Sequence, residues 1–305
     1  MHRKNLLFLR LLSLLALLTA WCLSGWNACP APALTAAATI VVTMVTVAVT
    51  GGRILPGSTL NTAAAYLLLA TADVNVWAFS SFHAASLLIA LFLCFYLVFN
   101  TGNSSLPILA LSSAALGAAC LLEPAMLWLA PVMAVTTVAR ADDKARFWAT
   151  FLFSLILPFL IWIGARVISD GWDSFEPLRR WLAAFWLGMT DLRNPSLRMS
   201  FPTVCRLVLA VLVTTVAMFK TGRKLNSLRV VHFDGYVRLI LLTFVFALLT
   251  LLFFSDGSRP ASLFVMLPAA PLLDVWLGDS RDGKMPVLAL VLLLVLIVER
   301  VALFL

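Results

Sequence analysis

Three ionisable residues stand at the ends of long apolar segments of this 305-residue chain: Asp73, His83 and Glu123. If these ends meet, two carboxylates and an imidazole share one low-dielectric surface. Burial of this kind shifts the pKa of such groups toward neutrality, which suits acid-base catalysis or cation binding. We therefore take Asp73, His83 and Glu123 as candidate catalytic residues. The structural alternative is that Glu123, which precedes Pro124, caps the following helix, while Asp73 and His83 face lipid headgroups.

The connection from 169 to 202 carries four arginines but no lysine. A guanidinium group can bind phosphate oxygens with two parallel hydrogen bonds. Arg179, Arg180 and Arg198 are therefore candidate substrate-binding residues for a lipid-linked pyrophosphate. Ordinary salt bridging is the alternative, because four acidic residues bring the net charge of this segment to zero: Asp170, Asp173, Glu176 and Asp191.

Sequence motifs for metal or nucleotide chemistry are absent from the chain. It contains no Walker sequence, no H-E-x-x-H, no G-x-S-x-G and no pair of cysteines with C-x-x-C spacing. We expect neither a metal nor another cofactor.

The elements that must position the candidate residues are long apolar segments. Hydrophobic residues make up 62% of the chain and charged residues 12%. About 20 helical residues cross the ~30 Å hydrocarbon core of a bilayer, where backbone polar groups find partners only within a helix or a closed barrel. We predict an all-α, polytopic transmembrane bundle that forms a single integral membrane domain over 1–305, with eleven crossings or, as the main rival, ten. The predicted helices cover 5–26, 34–50, 59–78, 82–99, 105–122, 124–139, 147–168, 203–220, 235–254, 260–277 and 286–304.

The lysines indicate an orientation, since short cytoplasmic loops carry an excess of Lys and Arg. With a cytoplasmic N-terminus, every lysine falls on the cytoplasmic side: Lys4, Lys144, Lys220, Lys224 and Lys284. We predict a multi-pass protein of the bacterial inner membrane with the segment 169–202 outside. The net charge of +8 is spread between apolar segments, so the expected partner is the lipid bilayer and not nucleic acid. The oligomeric state is left open.

Within the outer segment, an amphipathic helix is predicted over about 175–189. Its apolar residues recur with the 3.6-residue period of a helix and so share one face. They are Leu178, Trp181, Leu182, Phe185, Trp186 and Met189. Such a helix would lie in the membrane interface with its tryptophans at headgroup depth. The alternative is a lid that packs on the bundle without touching lipid.

Several other charged residues fall inside the predicted helices but close to their ends. At such positions a long side chain can extend to the interface, so a structural role is the simpler interpretation. They are Arg10, Arg166, Arg206, Arg238, Asp274, Glu299 and Arg300.

The stretch 106–172 resembles the middle of GT-C-type glycosyltransferases, polytopic enzymes that use lipid-linked sugars. It contains a helix with the pattern A-x-x-G-A-A (114–119), the break Glu123-Pro124, an apolar return, a basic turn, and a helix with L-P-x-L-I-W (157–162). The part from 63 to 100 is similar to their preceding hairpin. The resemblance implies a catalytic acid in the first outer loop, but 27–33 contains no Asp or Glu. The chain is at least as similar to multi-pass bacterial inner-membrane proteins of unassigned function that share this pattern without the catalytic loop.

Three functions follow as hypotheses. The first is an integral membrane protein that works with envelope glycan or lipid-carrier machinery, with a lipid-linked glycan as partner. The second is a GT-C-like glycosyltransferase that uses a lipid-linked sugar donor at the outer leaflet. The third, a transporter or flippase, is disfavoured because the polar residues cluster toward helix ends, whereas carriers bind substrate near the midplane.

Overall fold

The computed structural model describes residues 30–55, 59–70, 76, 79–101, 105–138, 143–170, 175–191, 230–253 and 262–278, with single positions between 208 and 219. These residues are almost entirely helical and include no strand, so the all-α prediction is confirmed for them. In chain order the helices are α1 Pro30–Ile54, α2 Thr59–Ala70, α3 Ser81–Thr101, α4 Leu106–Leu122, a 3-10 helix Pro124–Trp128, α5 Leu129–Val138, α6 Lys144–Asp170, α7 Phe175–Asp191, α8 Val230–Phe253 and α9 Ser262–Gly278.

Four helical stretches are long and apolar enough to cross a membrane. They are Leu34–Arg53, Ser81–Thr101, Lys144–Ser169 and Phe233–Phe253, in α1, α3, α6 and α8. Shorter apolar helices cover Leu106–Leu122, Pro124–Val138 and Leu263–Leu273. The predicted count of eleven is not confirmed by these four. The predicted segments 5–26 and 286–304 lie outside the described residues, as does most of 203–220.

Helix α3 forms the centre of the bundle. It packs most extensively on α4 and α1 and also contacts α8 and α9. The ring of Phe82 lies 5.6 Å from that of Phe264 on α9, and Phe246 of α8 lies 6.5 Å from the same ring. The buried aromatic rings thus connect α3, α8 and α9 in one apolar core.

Helix α6 lies at the edge of this bundle. Only 17% of its most apolar stretch is buried, although the helix is long enough to cross a membrane. Large side chains such as Phe153 and Ile161 are exposed along it. An apolar surface of this length would be unfavourable in water, so a lipid environment accounts for it best.

The contact between α4 and α6 depends on Gly117. A Cβ atom added at this position would overlap the main-chain carbonyl of Leu155 and would lie 3.3 Å from Cδ of Pro158. Pro158 also removes one backbone hydrogen bond from the interior of α6. The absence of a side chain at Gly117 therefore allows the two backbones to approach closely beside the proline.

Candidate functional site at the Glu123 end of the bundle

Glu123 lies at the break between α4 and the 3-10 helix. Its backbone is extended, with φ −134° and ψ 97°, and its N–H donates to the carbonyl of Ala119 at 2.9 Å. Pro124 then begins the 3-10 helix, where its missing N–H costs no hydrogen bond. The local sequence thus ends α4 at a residue that can bury a carboxylate between helices.

The side chain of Glu123 is directed to α3. Ser81 Oγ donates to Oε1 of Glu123 at 2.6 Å, a length typical of a hydroxyl bound to a carboxylate. Glu123 is only 6% exposed. It occupies the N-cap position of the 3-10 helix, but its side chain makes no capping hydrogen bond. The side chain thus forms a hydrogen bond between two helices and not a capping hydrogen bond, although its position at the start of the 3-10 helix is the one that the structural alternative gave it.

His83 lies in the first turn of α3 and is buried. The backbone N–H of Ser80 donates to Nδ1 at 3.2 Å, and Nε2 lies 2.6 Å from the carbonyl oxygen of Val76. Because Nδ1 accepts and a carbonyl can only accept, Nε2 carries the proton and the imidazole is neutral. The ring of Phe79 stacks on it at 5.8 Å. His83 thus ties the segment before α3 to the start of that helix.

The structure brings His83 and Glu123 to the same end of the bundle, since Ser81 and His83 share one helical turn. Both ring nitrogens of His83 are engaged, so proton transfer by this side chain would require one of these hydrogen bonds to break. Asp73 lies outside the described residues, and so does Arg198.

Helix α7 packs on the bundle at Cys120, three residues before Glu123 in the sequence. The indole N–H of Trp181 donates to the carbonyl of Cys120 at 2.9 Å. In a continuous helix this carbonyl would pair with the N–H of residue 124, but Pro124 has none. The break that creates the Glu123 site therefore also leaves the acceptor to which α7 binds.

Aromatic rings complete the contact of α7 with the bundle. The Trp181 ring meets Phe159 of α6 edge to face at 5.0 Å, and Phe185 stacks near Trp128 at 6.5 Å. Leu182 and Trp186 remain 52% and 65% exposed. The predicted amphipathic helix is therefore present, and part of its apolar stripe packs on the bundle while the other part does not.

The two described arginines of α7 differ in their surroundings. Arg180 forms an exposed ion pair with Glu176 at 3.4 Å, which agrees with the salt-bridging alternative for this residue. Arg179 is also exposed, and no ion pair is described for it within the part of the chain covered by the structure. Across the described ranges, no group of three or more His, Cys, Asp and Glu residues could hold a metal ion.

A second polar cluster, around Arg238 of α8, was not predicted. Its Nε lies 3.3 Å from Oδ2 of Asp234, and Nη1 donates to the hydroxyl of Tyr96 at 3.1 Å and to the carbonyl of Thr136 at 2.8 Å. The Tyr96 ring also lies 5.8 Å from the guanidinium carbon. The side chain is only 11% exposed, so Arg238 does not extend to solvent as expected but connects α3, α5 and α8. The Asp-x-x-x-Arg spacing in the sequence was the only available signal.

The two polar clusters lie at opposite ends of α3. Ser81 and Tyr96 are 15 residues apart in that helix, which corresponds to about 22 Å. The Glu123 end and the Arg238 end of the bundle are therefore separate sites.

Trp181 allows a direct test of how α7 is held. The substitution Trp181→Phe removes the indole N–H but keeps an aromatic ring, so it should cost about 1–2 kcal/mol through the unpaired Cys120 carbonyl. Hydrogen exchange of the α7 amides should then be about 5–30 times faster. The exposed Trp186→Phe is the matched control and should leave exchange unchanged. Equal exchange in both variants would show that the hydrogen bond to Cys120 does not hold the helix.

No family model matches the chain, and no match is found among curated proteins or among solved structures.

Proposed function

We propose that this chain is a polytopic inner-membrane protein of the envelope glycan or lipid-carrier machinery, which binds a lipid-linked glycan at its Glu123 end without turning it over. The observation that carries the proposal is the docking of α7 beside Glu123. It places an exposed arginine-bearing helix next to a buried carboxylate. Arginine suits the phosphate of a lipid carrier, and a buried carboxylate suits sugar hydroxyls.

Binding without turnover is favoured by the way the two candidate catalytic groups are held. The carboxylate of Glu123 accepts the Ser81 hydroxyl, and both nitrogens of His83 are hydrogen-bonded. His83 would have to give up one of these hydrogen bonds before acting as an acid or base. The alternative function is a GT-C-like glycosyltransferase with Glu123 or Asp73 as the base.

A transporter or flippase is supported less well. Between α1, α3, α8 and α9 lies a cavity of about 10 Å³, lined by apolar side chains and Thr50. This volume accommodates about one water molecule. A carrier needs a substrate-sized polar site near the midplane, and this cavity does not supply one.

The binding function is tested with purified protein in nanodiscs and a lipid-linked sugar donor. We expect saturable binding with no sugar transfer, and Glu123→Gln should weaken binding by about tenfold because a charge-assisted hydrogen bond is lost. Asp143→Asn is the control, since Asp143 is an exposed acid at the start of α6 that pairs with Arg146. Absence of binding would contradict the proposal, whereas turnover abolished by Glu123→Gln would establish the enzyme alternative.

The topology in this proposal has eleven crossings, a cytoplasmic N-terminus and α7 outside. This topology requires successive helices to run in opposite directions, and the contacts support that. The start of α3 meets the end of α4 at Ser81 and Glu123. The end of α3 meets the end of α5 and the start of α8 at Tyr96, Thr136 and Arg238. In this arrangement Lys144 at the start of α6 lies inside.

Cysteine labelling in a cysteine-free background tests this topology. A membrane-impermeant reagent should modify Ser196→Cys in intact cells and leave Ser227→Cys unmodified until the cells are opened. The reverse pattern would invert the whole topology and move the Glu123 end to the cytoplasm. Modification of both positions in intact cells would place both on the outer side, so the chain between them would cross the membrane an even number of times or not at all.

A further inference from the structure

One face of α7 is directed away from the bundle and combines apolar and cationic groups. Arg179, Leu182 and Trp186 are all exposed and are spaced at i, i+3 and i+7. At 3.6 residues per turn they fall within an arc of about 60°. Trp181 and Phe185 occupy the neighbouring face, which packs on the bundle.

Helix α7 packs on α6, a helix whose apolar surface is largely exposed. Trp181 of α7 contacts α6 at Phe159, which is 15 residues after Lys144 and therefore about 22 Å along that helix. If Lys144 marks one edge of the ~30 Å hydrocarbon core, this contact lies about 8 Å inside the opposite edge. That is within the depth of roughly 5–10 Å at which an amphipathic helix sits in the interface. Leu182 and Trp186 add exposed apolar side chains to α7 at this depth.

The two arginines of α7 leave the helix in different directions. Arg180 lies about 100° round from Arg179 and is paired with Glu176 at 3.4 Å. Arg179 has the exposed Trp186 and Leu182 on its own face, and no ion pair is described for it among the residues that the structure covers. A tryptophan at headgroup depth beside an exposed guanidinium matches the chemistry of an anionic phospholipid, which offers a phosphate above an apolar chain.

We propose that the face formed by Arg179, Leu182 and Trp186 binds the phosphate headgroup of an anionic phospholipid at the bilayer surface. Arg179 contacts the phosphate, and Leu182 and Trp186 lie against the upper part of the acyl chains. Arg180 faces water. The inference rests on the membrane placement in the proposed function but not on the glycan ligand, so each can fail while the other holds.

The orientation is tested with a nitroxide label on the full-length, otherwise cysteine-free protein in nanodiscs. Leu182→Cys places the label on the proposed lipid face, and Ala184→Cys places it on the exposed face that carries Arg180, four residues earlier. The label at 182 should be accessible to oxygen and poorly accessible to a water-soluble nickel chelate. The label at 184 should show the reverse.

The headgroup specificity is tested in nanodiscs that contain phosphatidylcholine and phosphatidylglycerol. The nitroxide at 182 should broaden the phosphorus resonance of phosphatidylglycerol about fivefold more than that of phosphatidylcholine, after correction for composition, as expected for one interfacial arginine. Arg179→Gln should abolish this preference, and the control Arg180→Gln should leave it within a factor of two.

Three results would overturn the inference. Equal access of the nickel chelate to 182 and 184 would place the whole surface in water. Protection of 182 from both oxygen and nickel would mean that another protein or a second copy of the chain covers it. A correct depth with no phosphatidylglycerol preference, or a preference that survives Arg179→Gln, would remove Arg179 as the phosphate ligand.

Discussion

Replacing Arg238 with methionine is expected to lower the free energy of unfolding by about 3 kcal/mol, the lower end of the cost of breaking a buried ion pair. The substitution removes a guanidinium that binds Asp234, the Tyr96 hydroxyl and the Thr136 carbonyl. Asp234 would then lose this ion pair in a partly buried position between packed helices. Because the Asp234 side chain is 26% exposed, water can solvate part of that charge, and we do not expect the full cost of 5 kcal/mol.

The chain contains a matched control for this prediction. Arg180 and Glu176 form an ion pair with the same i, i+4 spacing and nearly the same length, 3.4 Å against 3.3 Å. Their side chains are 78% and 52% exposed, compared with 11% and 26% for Arg238 and Asp234. Arg180→Met should therefore change the free energy of unfolding by less than about 0.5 kcal/mol.

Unfolding in mixed detergent micelles, followed by circular dichroism, measures both variants. The double substitution Arg238→Met with Asp234→Leu should recover at least half of the lost stability, because both charges of this pair are then replaced by apolar side chains. Equal stability of Arg238→Met and Arg180→Met would show that burial of the Arg238 pair contributes nothing to the fold.

The helices could be predicted from the sequence because their signals are local. The segment predicted over 82–99 is α3 Ser81–Thr101, and the amphipathic helix predicted over 175–189 is α7 Phe175–Asp191. The length of an apolar run and a 3.6-residue period each depend only on neighbouring residues.

The contacts that build the two polar clusters could not be predicted in the same way. The hydrogen bond between Ser81 and Glu123 joins residues 42 positions apart, and that between Trp181 and Cys120 spans 61. Arg238 reaches Tyr96 across 142 positions. An unaligned sequence carries no signal for such pairings, so Arg238 was expected to extend to the interface, and Ser81 and Trp181 were not recognised as partners of the Glu123 break.

The proline at 124 shows how one local feature has distant consequences. Its position after Glu123 predicted a break, which the structure confirms as the start of a 3-10 helix. That the break also leaves a carbonyl for Trp181 becomes evident only when α7 is placed on the bundle. The break at Pro124 was thus predictable from the sequence, but the hydrogen bond between Trp181 and the Cys120 carbonyl was not.

Replacing Gly117 with alanine is expected to destabilise the bundle by about 2 kcal/mol, although alanine is the better helix former. The added Cβ would overlap the Leu155 carbonyl, which belongs to the backbone of α6 and cannot move away by changing a rotamer. Overpacking of this kind typically costs about 1–3 kcal/mol. Because the overlapping atom is a backbone oxygen, we expect the upper end of this range, and the gain of about 1 kcal/mol from helix propensity leaves a net cost of about 2 kcal/mol.

Gly164→Ala on α6 is the matched control, because no atom lies within 4 Å of a Cβ added there. It gains the same helix propensity without the overlap and should raise the midpoint of thermal unfolding in detergent, whereas Gly117→Ala should lower it by several degrees. Gly117→Leu should lower it further, because a larger side chain increases the overlap. If Gly117→Ala were as stable as Gly164→Ala, the close approach of α4 to α6 beside Pro158 would not exist in the folded protein.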